Sequence, residues 1–62
     1  MKVFIYGEEQ LETIEVDTLK VATFIWLIKR YGYCDMNGDF YAFSSAEIST
    51  GGIINVWLAK EN

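Results

Sequence analysis

The residues of this chain that could do chemistry each lack the neighbour that the chemistry needs. Cys34 is the single thiol, and a cysteine becomes a nucleophile only beside a base or in a cationic environment that yields thiolate. The 62 residues contain no histidine, the commonest general base and the commonest neutral metal ligand. Ser44-Ser45 and Ser49-Thr50 lack a base for the same reason. The carboxylate pairs Glu12 with Glu15, and Asp35 with Asp39, have the residue types for acid–base work. A chain this short has little room to enclose a pocket that would shift their pKa values. Asp35-Met36-Asn37-Gly38-Asp39 offers oxygens at the first, third and fifth positions of a calcium loop. Phe40 and Ala46, however, stand where an EF-hand needs Gly and a bidentate Glu. The stretch reads instead as a turn flanked by solubilising acids. A lone cysteine excludes an internal disulfide and a multi-cysteine zinc site, and Cys34 is expected as a small, partly buried strand residue. No catalytic, cofactor-binding or metal-binding residue is expected, and enzyme activity is not.

The elements that position these residues follow from hydrophobic period and turn chemistry. Lys2-Val3-Phe4-Ile5-Tyr6 is a β-branched and aromatic run ended by Gly7, hence a strand. After the polar turn Glu8-Glu9-Gln10, Leu11 to Val16 alternates, with Ile14 and Val16 facing one way and Thr13 and Glu15 the other. The short loop pairs these two strands as an antiparallel hairpin. Asp17 or Thr18 can cap a helix running to about Tyr31. Lys29-Arg30 suit its negative end and Gly32 its left-handed stop. Tyr33–Met36 and Asp39–Phe43 flank Asn37-Gly38, a type I′ hairpin signal. Ser44 to Gly52 is polar and Gly-rich, expected as a loop. Ile53 to Ala59 closes the chain as a strand, with Ile54, Val56 and Leu58 on one face and Ile53, Asn55 and Trp57 on the other.

These elements predict one small α+β domain over residues 1–62, with a helix packed on a mixed sheet as ββαββ and an added short strand. Its core is small, because a chain of this length buries only about 60% of its unfolded surface. The opening hairpin Lys2 to Val16, the helix entered through Asp17-Thr18 and the closing strand Ile53–Leu58 resemble the ubiquitin-like β-grasp family. That resemblance implies a helix lying across one face of the sheet and a last strand parallel to the first. The sequence departs from the family at Ala59-Lys60-Glu61-Asn62, which stands where conjugating members carry Gly-Gly. Gly51-Gly52 is internal, so conjugation or sulfur transfer is not expected.

Nine acids against five bases give a formal charge of −4. The bases Lys2, Lys20, Lys29, Arg30 and Lys60 are scattered, whereas phosphate binding depends on a basic patch. Direct nucleic-acid binding is therefore not expected. The longest apolar run, Val21 to Ile28, is far short of the roughly 20 residues of a membrane span. The N-terminus lacks the ordered regions of a signal peptide, and an unpaired cysteine suits a reducing compartment. The expected location is cytoplasmic, away from membranes.

What remains is surface. Glu8, Glu9, Glu12, Glu15 and Asp17 fall within ten residues that contain no base. They discourage edge-to-edge association, or they dock a basic partner such as a nucleic-acid-binding protein. At 100° per residue, Val21, Phe24, Ile25 and Ile28 form the core face of the helix. Leu19, Thr23, Trp26 and Arg30 lie roughly opposite. On the sheet, Phe4, Tyr6, Ile53 and Trp57 point away from the helix, and such patches mark partner sites. The expected function is a non-catalytic interaction module, an adaptor or small inhibitor of a protein partner, in keeping with a phage or mobile-element product. The alternative is a structural homo-oligomer, at its simplest a homodimer, that buries the apolar helix and sheet faces.

Overall fold

The computed structural model describes residues 1–61. Asn62, the last residue of the terminal tetrapeptide discussed above, lies outside the described residues. The chain runs β1 (Lys2–Tyr6), β2 (Gln10–Glu15), a 3₁₀ turn (Thr18–Lys20), α1 (Val21–Tyr31), β3 (Tyr33–Cys34), β4 (Phe40–Ser49) and β5 (Ile53–Lys60). The strands form one mixed sheet ordered β2-β1-β5-β4-β3. β1 pairs antiparallel with β2 and parallel with β5, and β5 pairs antiparallel with β4. A parallel pair needs a long crossover between its strands, and the rest of the chain supplies it.

Strand period decides which residues enter the core. Val3, Ile5, Ile54 and Val56 are fully buried, and Leu58, Val21, Ile28 and Tyr41 complete the cluster. Val3 stands opposite Ile54 and Ile5 opposite Val56 in the parallel register, so both central strands turn the same face to the helix. Phe24, Ile25, Ile14 and Val16 pack against the edge of this cluster, as the two amphipathic patterns require.

Several expectations are corrected. Residues 44–49 do not form a loop. β4 continues to Ser49, paired with β5 as far as Ser49 opposite Ile53, past an irregularity between Phe43 and Ser45. The polar composition of this stretch reflects its exposure, and backbone pairing with β5 makes it a strand despite that composition. Gly51 and Gly52, with φ of 91° and 78°, make the tight reversal that allows it. β3 is only two residues long. The turn after it is not type I′, because no residue other than glycine has positive φ among the described residues. Gly38 N donates to Asp35 O at 3.1 Å and Asp35 N donates to Asp39 O at 3.0 Å, the bonding of a three-residue hairpin loop closed by a glycine. Neither Asp17 nor Thr18 caps α1. Asp17 makes no side-chain cap bond, and its carbonyl accepts from Lys20 N at 2.8 Å to start a 3₁₀ turn. The second strand spans Gln10–Glu15 rather than 11–16.

The exit from α1 is tightly specified. Gly32 N donates to Ile28 O at 2.8 Å, and Gly32 has φ 76° and ψ −165°, a combination essentially reserved for glycine. A Cβ there would lie 2.7 Å from the backbone oxygen of Tyr41, so the chain leaving α1 passes directly against β4 at this residue. Gly32→Ala is expected to cost about 1–3 kcal/mol from backbone strain. For a domain this small each kcal/mol lowers the melting midpoint by roughly 4–8 °C. Thermal unfolding followed by circular dichroism checks this, and an unchanged midpoint would contradict the close contact.

Candidate functional site

One end of the sheet carries a polar cluster that joins two turns and several strand ends. Tyr41, on the core face of β4, lies beneath the β1–β2 turn, because a Cβ at Gly7 would fall 2.9 Å from its Cε2. Its hydroxyl donates to Asp35 Oδ2 at 3.0 Å. Asp35 Oδ1 accepts from the N–H groups of Asn37 and Asp39, both at 2.9 Å. Lys60 Nζ stands 3.5 Å from Asp39 Oδ2. The Tyr33 hydroxyl donates to Glu12 Oε2, which links β3 to β2 although the two are opposite edges of the sheet. Four strand spacings of about 4.8 Å exceed the reach of those two side chains, so the sheet must coil toward the helix side at this end.

The electrostatics follow from these contacts. Lost hydration raises the Asp35 carboxyl. The N–H of Asp39, the Tyr41 hydroxyl, the N–H of Asn37 and the nearby Lys60 charge outweigh that effect, and its pKa falls below the ordinary 3.8. Burial pushes the Tyr41 phenol up, reinforced by its bond to Asp35. Burial likewise raises Tyr33 well above its ordinary value, helped by the bond to Glu12 and by that carboxylate's charge. Asp35 is thus a structural acceptor and not a solubilising acid beside a turn.

The five acids of the first hairpin do not form one patch. Glu8, Glu9 and Glu12 lie at the Asp35–Asp39 end, where Glu8, Glu9, Asp35, Tyr41 and Lys60 help to line a cleft of about 200 Å³. Glu15 is 3.8 Å from the N-terminal amine, and Asp17 precedes the 3₁₀ turn at the other end of β2. Among the described residues, Glu8 and Glu9 form no ion pair. No three Asp, Glu or Cys side chains among those residues are placed to hold a metal ion together. Cys34 is exposed, a correction to the partly buried position expected for it.

The apolar candidates separate onto opposite sides of the molecule. Phe4, Tyr6, Ile53 and Trp57 share the helix-free face, since Tyr6 stands opposite Trp57 in the parallel register and their rings stack at 6.1 Å. The stack half-covers both rings, and Trp57 is only 37% exposed. On the helix side, Leu19 of the 3₁₀ turn is 94% exposed and Trp26 of α1 56%. The Trp26 ring meets Tyr31 edge to face at 6.4 Å. Arg30 is exposed beside them, with its guanidinium 6.0 Å from the centre of the Tyr31 ring. No single flat partner can touch both Trp26 and Trp57.

Two further features were not legible in the sequence. Ile48, placed in the expected loop, lies on β4 and is exposed. With Met1, Ala22, Ile25, Trp26 and Lys29 it lines a groove of about 520 Å³ between α1 and β4. Tyr31 joins the outer helix patch through its edge contact with Trp26, five residues away, a spacing that helical periodicity does not bring together. No helix among the described residues is long and apolar enough to cross a membrane. Neither protein-family models, nor curated proteins, nor solved structures contain a match to this chain.

Asp35 generates a pH prediction. Its folded pKa is depressed, so its stabilisation is present above the ordinary value and lost as pH falls through the folded value. Stability of the native chain should therefore drop below about pH 4, and Asp35→Asn should flatten part of that acid limb while lowering the neutral-pH midpoint. Melting curves across pH check this, and an acid limb unaltered in Asp35→Asn would remove Asp35 from the account.

Proposed function

We propose that this chain is a non-catalytic protein-interaction module of β-grasp-like architecture, acting as an adaptor or small inhibitor of a protein partner. The β-grasp reading is supported by the order of elements, by a first strand parallel to the last, and by the helix on one face of the sheet. The observation that carries the function is the outer face of the 3₁₀ turn and α1. Leu19, Trp26 and Tyr31 are all more than half exposed, and Arg30 lies among them. Fully burying a large apolar side chain is worth about 1.5–3 kcal/mol, so such a face is the natural donor of binding energy in a chain with so small a core. Trp and Arg are enriched among the residues that dominate interfaces. Glu8 and Glu9, exposed at one end, would add steering toward a basic partner.

Affinity capture with the immobilised chain, repeated with variants, tests this. Leu19→Ala and Trp26→Ala should each fold normally and weaken capture, with Trp26→Ala costing about 2 kcal/mol or more. Trp57→Ala should leave capture by the helix face unchanged. A captured partner retained by both helix variants would overturn the assignment of the surface. For the acids, Glu8→Gln with Glu9→Gln should slow association and flatten its salt dependence without altering dissociation much. Stopped-flow or biosensor on-rates at several salt concentrations measure this, and unchanged rates would leave the two residues as solubility features. Cys34→Ser should preserve binding and stability within about 0.5 kcal/mol, as for other exposed substitutions. Lost activity in a Cys34→Ser chain that melts normally would contradict a non-catalytic role.

A further inference from the structure

We infer that two copies of this chain assemble by antiparallel pairing of their β4 edges, a property that goes beyond the binding of a foreign partner through α1. Among the described residues, β3 covers β4 at Phe40 and Tyr41 only, so residues 42–49 present an edge unpaired by any described residue, regular from Ser45 to Ser49. Edge strands are normally blunted by Lys, Pro, covering segments or inward-pointing charges. β4 has no Lys and no Pro, and Glu47 is its one charged residue. The register places Glu47 opposite Asn55 and Ala46 and Ile48 opposite the buried Val56 and Ile54. The charge therefore faces the open side of the sheet, and the apolar side chains face the helix side.

The occupant this edge requires is an extended strand with small or apolar side chains on its helix side and polar ones on the other. β4 itself meets every term of that description, so the edge is its own complement, as a two-fold interface demands. A two-fold axis perpendicular to the sheet keeps both helices on the same face, and the helix-side groove of each copy beside Ile48, Ile25 and Ala22 then borders the partner strand. A pair centred on Ala46 sets Glu47 opposite Ser45 of the partner subunit and leaves the two Glu47 carboxylates on a diagonal rather than directly opposite, as centring on Glu47 would place them. Charge permits the approach, because Glu8, Glu9, Asp35 and Asp39 lie at the other end of the sheet.

Sedimentation equilibrium of the whole chain, from micromolar to millimolar concentration and with no other protein present, tests this apart from partner capture. The native chain should approach twice the monomer mass, with amide exchange in residues 45–48 slowed as concentration rises. Ile48→Lys and Ala46→Lys, both at exposed positions, should give monomers with native circular dichroism, and their exchange in 45–48 should be fast. If one variant fails to fold, the other carries the same comparison, and the native exchange data need neither. A native chain that stays monomeric throughout overturns the inference. A dimer that survives both lysines, or that protects amides outside β4 and its groove, overturns it equally. Loss of foreign-partner capture in Leu19→Ala, a residue outside that groove, bears on the helix-side surface and leaves this result untouched.

Discussion

The parallel pairing of β1 with β5 is the constraint on which the rest of the structure depends. It sets the first and last strands side by side and puts Val3 next to Ile54 and Ile5 next to Val56, the four side chains with no exposure among the described residues. Each such side chain contributes about 1.5–3 kcal/mol by leaving water, and a domain of this size has few others to draw on. Once β1 and β5 occupy the centre, their outer neighbours are decided by connection length. β2 follows β1 through a tight turn and takes one side, and β4 reaches β5 through Gly51-Gly52 and takes the other. The helix crosses the face that the central strands leave apolar.

That arrangement also divides the molecule's chemistry by position. At the end where Tyr6 and Lys60 lie, the core gives way to tyrosines whose hydroxyls meet carboxylates, Tyr33 with Glu12 and Tyr41 with Asp35. Tyrosine suits this boundary because its ring can bury while its hydroxyl finds a polar partner. At the opposite end α1 and β4 leave the groove lined by Ile48 and Trp26. The tyrosine–carboxylate cluster and the groove are thereby held at opposite ends, so an apolar contact at the groove need not desolvate Asp35 or Asp39.

The candidate surfaces show how local pattern and tertiary position share the outcome. The outward placement of Trp26 and Arg30 follows from helical spacing, and that of Phe4, Tyr6 and Trp57 from strand alternation, whereas Leu19 is exposed on the 3₁₀ turn that precedes the helix. Both periods are properties of the backbone and need no knowledge of neighbours. Whether those positions form one surface or two is another matter, and they fall on opposite sides of the molecule. Likewise Glu8 and Glu15 are close in sequence yet lie toward opposite ends of β2, because an extended strand rises more than 3 Å per residue.

The sequence alone determined the small α+β domain, the opening hairpin, the helix with its Gly32 stop, and the core faces of the first and last strands. It did so because alternation, helical period and glycine's access to positive φ are local physics. Only the tertiary structure decided that residues 44–49 are strand, since their polar composition carries no β signal and pairing with β5 supplies what propensity lacks. Only the fold made Asp35 an acceptor for Tyr41 and drew Glu12 to Tyr33, contacts between residues 6 and 21 positions apart. Asp17's failure to cap belongs with these, since its carbonyl, and not its side chain, accepts from Lys20 N as the chain turns into the 3₁₀ segment.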